Sequence, residues 1–183
     1  MKSYAQRRSK LQEKRAARDM GGSVQKGSGS SAFAKGDFRK VGDIRGECKH
    51  TSNQAFILKL TDLLKIREES ITGNLREPVL QIEFVGQVGK STKLAVLGWS
   101  SFMQHWKFKP KELIGLCTVD HFQIGKQFVL QKAAWTAYLG KSPLTVVFRV
   151  TFNQPDEKDT PGSNSFALVD WRTYLMLREA MNA

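Results

Sequence analysis

Two carboxylates and a lysine near the start of the chain have the spacing to hold a divalent cation with an ammonium group beside it: Asp37, Glu47 and Lys49. They belong to the stretch GSGSSAFAKGDFRKVGDIRGECKHT, residues 27–51. With Val41, Gly42 and Asp43 as the turn of a hairpin, Lys40 faces Ile44, Arg39 faces Arg45 and Phe38 faces Gly46, which brings Asp37 opposite Glu47. The strand period of two then puts Asp37, Glu47 and Lys49 on one face and Ile44, Gly46 and Cys48 on the other. Opposed residues of an antiparallel pair have Cβ atoms about 5 Å apart, close enough for two carboxylates to repel and for one cation to relieve them. The expected occupant is Mg2+, a hard cation that takes oxygen ligands, with Mn2+ able to substitute. Asp43 is a competing acid, but it falls in the turn.

The elements that must position this hairpin can be read on either side of it. Residues 3–20 are rich in helix formers and end at the Gly21-Gly22 pair. Tyr4, Leu11, Ala17 and Met20 are expected along the inward side of that helix, with Glu13 within reach of it and Arg7, Arg8, Lys14, Arg15 and Arg18 around the rest. Glu13 reads either as an exposed partner in an i,i+4 pair or as a further acid for the site. Residues 27–31 form a small-residue loop, either a linker or a segment whose N–H groups and Ser28 hydroxyl approach a phosphate. After the hairpin come an apolar segment at 55–60, a helix from Thr61 or Asp62 to Thr72 with Leu63, Leu64 and Ile66 inward, and a half-buried strand at 78–85. A returning strand at 92–99 and a helix at 100–106 complete α/β layers around a mixed sheet.

Composition narrows the partner. The formal net charge is +12 with a pI near 9.9, and the first 60 residues hold fourteen Lys or Arg against five Asp or Glu. Acids kept inside such a basic surround suit a phosphodiester site, where cations collect the backbone and carboxylates hold the metal; a solvated basic arm is the plainer reading. Cys48 and Cys117 have no ligand or disulfide spacing and no apolar signal core follows the basic start, which suits a reducing cytoplasm. The apolar runs are too short to span a bilayer.

The chain also resembles itself. NQAFILKL at 53–60 is similar to GKQFVLQK at 125–132, and KLAVLGWSSFM at 93–103 to SFALVDWRTYL at 165–175, both at an offset of 72 residues. The expected division is therefore a first unit at 1–106 and a degenerate second copy at 107–183. At the same offset Asp37 falls on Lys109, Glu47 on Val119 and Lys49 on His121, so the second copy lacks the triad and reads as a scaffold, an extra DNA-contact surface or a subunit interface. Asp120-His121 is expected to be a strand-edge pair, and His50 and His105 have no partner in sequence.

Taken together, GGSVQKGSGSSAFAKGDFRKVGDIRGECKHT, AFILKLTDLLKIREES and EPVLQIEF resemble the PD-(D/E)XK nuclease superfamily, and most closely its phage-encoded Holliday junction resolvase-like endonucleases. The resemblance covers roughly residues 6–99, with Gly36 where the family has proline before the aspartate. It implies a restriction-endonuclease-like core in which Asp37 and Glu47 ligate the metal, Lys49 is the lysine of the ExK motif and Glu13 is the acid of the first helix.

The implied reaction is Mg2+-dependent hydrolysis of a DNA phosphodiester, with the Cys48 backbone carbonyl as a further metal ligand. Lys49, beside two carboxylates, is expected to stay protonated and act electrostatically, a base role being the alternative. Arg7, Arg8, Lys14, Arg15, Arg18, Ser28, Lys35, Arg39 and Arg45 are expected to contact DNA phosphates. A four-way junction is two-fold, so with one intact site per chain a homodimer is expected, its interface drawn from the strand at 144–152 and Trp135, Tyr138, Trp171 and Tyr174, unless these pack in the core. The rival readings are a repair, nicking or restriction-like nuclease of the same chemistry, and a non-catalytic basic DNA-binding module.

Overall fold

The acid-bearing hairpin forms near one end of a long mixed sheet. The computed structural model describes residues 3–25, 37–40, 42–73, 77–86, 91–113, 118–141, 146–153 and 164–183. In chain order the elements are α1 (Tyr4–Asp19), β1 (Ser23–Val24), β2 (Phe38–Lys40), β3 (Ile44–Thr51), β4 (Ala55–Lys59), α2 (Leu60–Thr72), β5 (Glu77–Phe84), β6 (Thr92–Gly98) and α3 (Trp99–Lys107). A 3-10 turn (Lys111–Leu113) leads to β7 (Thr118–Ile124), β8 (Gln127–Gln131), α4 (Lys132–Lys141), β9 (Val146–Phe152), β10 (Ser165–Asp170) and α5 (Trp171–Asn182). Eight strands make one sheet in the order β1-β2-β3-β5-β6-β10-β9-β7, while β4 and β8 pair as a separate antiparallel ribbon. β3 runs parallel to β5 and β7 to β9; the other neighbours are antiparallel.

Each face of the sheet is covered. On one, Ala16, Ala17 and Met20 of α1, Phe102 of α3 and Trp171, Tyr174 and Leu177 of α5 pack on Phe38, Ile44, Val79, Leu97 and Val169. On the other, Leu60, Leu63 and Ile66 of α2, Trp135 of α4 and Leu58 and Leu130 of the ribbon cover Leu80, Ile82, Val96, Phe148 and Leu168. Both cores draw on both halves of the chain, and the division expected at 106/107 falls in the last turn of α3, between strands of one continuous sheet. At the middle of that sheet Val96 faces Leu168, and at the middle of the ribbon Ile57 faces Val129.

Three expectations are corrected here. Leu11 and Tyr4 are not on the inward side of α1: they are 45 % and 69 % exposed, and Gln12 and Ala16 take the buried positions. The helix is turned that way because Gln12 donates to the Lys49 carbonyl and to Gln81 Oε1, both at 3.1 Å, and because the alanines permit close approach to the sheet. β5 is buried on both faces, since Gln12 covers Gln81 and Arg8 pairs with Glu83. Trp135, Trp171 and Tyr174 are buried in the cores and β9 lies inside the sheet, so they do not present the suggested subunit interface; the side chain of Tyr138 lies outside the described residues.

Candidate functional site

The hairpin has the register its sequence dictates, with Phe38 facing Gly46, Arg39 facing Arg45 and Lys40 facing Ile44. Gly42 adopts φ +71°, a left-handed conformation that costs glycine little, and the Asp43 N–H closes the turn on the Lys40 carbonyl at 3.1 Å. Gly46 is needed for a different reason: a Cβ there would stand 2.0 Å from Phe38 Cζ, so its bare backbone makes room for the ring in the core. One step further on, the Asp37 N–H donates to the Gly46 carbonyl at 2.9 Å, which holds Asp37 against the strand that carries Glu47.

The acids are held on the face opposite Phe38, Ile44 and Cys48. The Cys48 N–H donates to Asp37 Oδ2 at 2.8 Å and fixes that carboxylate against the strand. Lys49 Nζ donates to Glu47 Oε1 at 3.2 Å. On α1 the Ser9 hydroxyl donates to Glu13 Oε1 at 3.1 Å, and Glu13 is near enough to act on Asp37 through its charge. Among the described residues no group of three or more His, Cys, Asp or Glu side chains is placed to hold a metal ion; the acids meet as the pair Asp37 and Glu47.

Burial dominates the electrostatics of the two acids. Burial raises the Asp37 carboxyl above its ordinary range and Glu13 adds to this, outweighing the Cys48 N–H and Lys49. Burial likewise raises Glu47, with the charge of Asp37 beside it. Burial works against the Lys49 ammonium, but Glu47, Asp37 and Asp62 overcome it and hold its pKa above the usual lysine value. The raised pKa favours the protonated ammonium, a positive charge beside the two acids. Burial and the surrounding acids push the Cys48 thiol far up, so the residue offers its backbone here and not a thiolate. Two carboxylates side by side are the oxygen ligands that Mg2+ takes, and a cation between them would offset their charge.

The basic residues divide. Arg7, Lys14, Arg15 and Arg18 are exposed on α1, Arg18 with a 3.7 Å contact to Asp19. Arg39 is half-buried on β2. Arg8 is tied instead to the buried carboxylate of Glu83 at 3.2 Å. Arg45, 4 % exposed, donates to the carbonyl and carboxylate of Glu69 on α2, both at 2.9 Å, so the expectation that it faces a phosphate is corrected: it pins α2 to the hairpin. Ser28 and Lys35 lie outside the described residues.

Asp43 is set apart from the acid pair by Arg178, with Lys40 3.6 Å away, which removes it as the competing ligand. His105 does have a partner, Glu77, at 2.7 Å. β7 is an edge strand of the sheet, as expected for Asp120-His121. Glu47, Leu80, Val96, Leu168, Phe148 and Asp120 form one row across the sheet.

Sequence reasoning missed Gln12, Gln81, Glu83 and Glu69, the polar groups that seat α1 and α2 around the hairpin. The signal for two of them was present: Gln81 and Glu83 alternate with Leu80, Ile82 and Phe84 in a strand too apolar to face water. No protein-family profile, curated protein or solved structure matches the chain, which leaves the geometry of this hairpin to carry the functional reading.

Proposed function

We propose that the chain is a Mg2+-dependent endodeoxyribonuclease that hydrolyses phosphodiester bonds, acting on branched DNA in the manner of the resolvase-like nucleases its motifs resemble. The observation that carries this reading is the Asp37–Glu47 pair with Lys49 beside it: burial raises both carboxyls, Glu13 adding at Asp37 and Asp37 adding at Glu47, next to an ammonium that the acids hold protonated. On the same reading the first half is a restriction-endonuclease-like core and the second a degenerate copy of part of it.

Asp37, Glu47 and the Cys48 carbonyl would hold Mg2+, which supplies a Lewis acid that lowers the pKa of a water and draws charge from the phosphoryl oxygen. Asp37 is presented in one orientation by the Cys48 N–H. The Lys49 ammonium offsets the negative charge that builds on the phosphate as it becomes pentavalent. Glu13 adds negative potential at Asp37, which favours cation uptake. Arg7, Lys14, Arg15 and Arg18, with Arg39, Ser28 and Lys35, hold backbone phosphates without reading sequence.

A second reading has an observation of its own. The 3.2 Å Lys49–Glu47 contact is also what a plain surface ion pair on a non-catalytic DNA-binding module would show. Incubation with a four-way junction and with linear duplex, in Mg2+, Mn2+ or EDTA, decides between them. Cleavage with either metal and none in EDTA is expected; intact DNA under every condition, with binding retained, would leave the module.

A further inference from the structure

We propose that one chain supplies by itself the two-fold frame for which a homodimer was expected, with a single cutting site in it, so that it works as a monomer whose product is a nick. The inference rests on the nuclease reading for its product, but on strand register alone for its frame.

From the middle outward the eight-stranded sheet has the same order on both sides. β6 is antiparallel to β5, which is parallel to β3; β10 is antiparallel to β9, which is parallel to β7. The central β6–β10 pairing is symmetric about Val96 and Leu168, with Leu97 facing Ala167 on one side and Ala95 facing Val169 on the other. Positions 96 and 168 are 72 apart, the offset of the sequence likeness. The ribbon does the same independently, because Ile57 faces Val129, again 72 residues on. A two-fold axis requires this, each residue on the axis meeting its own counterpart. The two axis residues of the ribbon have matching surroundings as well, 48 % and 46 % exposed.

The helices follow suit. α3 and α5 continue β6 and β10 on one face, and α2 and α4 continue the ribbon strands on the other. The interface that a one-copy chain would have to form with a second molecule is here internal and built from main-chain pairing.

The chemistry does not obey the symmetry. Across the axis Glu47 is matched by Asp120, but Lys49 is matched by Phe122, whose ring packs against Phe128 and Phe148 at 5.3 and 5.5 Å between centroids. β2 and β1 extend the sheet beyond β3 and bring Asp37; among the described residues no strand lies beyond β7 to bring its counterpart. Among the described residues, one side thus has paired acids and an ammonium, and the other the Asp120 carboxylate with an aromatic cluster where the ammonium would be. A two-fold DNA seated on this frame meets one hydrolytic site. One water adds to one phosphorus, one P–O ester bond breaks, the departing oxygen takes a proton, and the opposite strand stays whole.

Three measurements test this. Light scattering on the full chain should give about one chain mass, 20.6 kDa, at every concentration, alone and with Mg2+; a stable dimer overturns the proposal. In a Cys117→Ser background, Ile57→Cys with Val129→Cys should crosslink within the chain on oxidation, with monomer mobility on a non-reducing gel, whereas crosslinked dimers would show that the ribbon forms between molecules. Supercoiled plasmid should accumulate as nicked circles, linear form appearing only later from independent second nicks; linear product formed in one binding event overturns the single-site frame. If no DNA is cut, the nuclease reading fails while the mass and crosslink still decide whether the frame is internal.

Discussion

Arg178 Nη1 donates to Glu77 Oε2 at 2.7 Å, joining the C-terminal helix to the first residue of β5, and the same guanidinium binds Asp43 in the turn of the acid-bearing hairpin. Glu77 also meets His105 Nε2 at 2.7 Å, so α5, α3, β5 and the hairpin turn share one buried polar network. Arg178→Leu leaves Glu77 buried without its cation and should lower stability by about 3–5 kcal/mol in chemical denaturation. Adding Glu77→Gln should recover part of that loss; no recovery would place the cost in lost packing alone.

Asp37→Asn and Lys49→Ala should each abolish cleavage, with rates down by roughly 10²-fold or more, while DNA binding by fluorescence anisotropy is retained. Unchanged activity in either variant would remove that residue from the site.

The raised Asp37 and Glu47 pKa values make the metal-free site a source of instability. A carboxyl whose pKa is raised by folding is harder to ionise in the folded state than in the unfolded one, so its cost is absent below the unfolded pKa and complete above the folded one. In EDTA, therefore, Asp37→Asn should melt above wild type at neutral pH, with the gap closing as the pH falls through the carboxylate range. Mg2+ should raise the wild-type melting temperature and leave that of Asp37→Asn unmoved.

Salt titrations of DNA affinity should separate the two kinds of arginine. Arg7→Ala or Arg15→Ala should each reduce the slope of log K against log salt by about 1. Arg45→Ala should act through α2, lowering thermal stability by removing the partner of Glu69, with little change in the slope.

Gly46→Ala should be destabilising although alanine is normally acceptable in a strand, because the added methyl meets the Phe38 ring. Overpacking of this kind costs about 1–3 kcal/mol. Pairing it with Phe38→Leu should relieve part of the cost.

How much of this was legible depended on whether the determinants were local. The β2–β3 register followed from a turn around Gly42 and an alternation of apolar and charged residues, both contained in about ten positions, and it formed as read. The rotation of α1 did not follow from its own sequence: Leu11 is the more apolar residue, yet Gln12 is buried, because its hydrogen-bond partners Gln81 and the Lys49 carbonyl lie far along the chain. Arg45 shows the same limit, since one strand cannot reveal that Glu69 waits across from it. The row that brings Asp120 into line with Glu47 was also hidden, because the sequence likeness at Phe56 and Ala95 says nothing about the register of a strand lying outside it.

The central pairing of Val96 with Leu168 has a bearing on how the chain is made. β6 leaves the ribosome with Leu94, Ala95, Val96 and Leu97 along an unpaired edge, and β10 is not synthesised until roughly 70 residues later, a wait of about 4–14 s at 5–20 residues per second. Through that interval the growing chain has half a sheet with an apolar, open border. Nascent fragments that end before β10 should be the aggregating species, and the last strand made is the one that seals the protein.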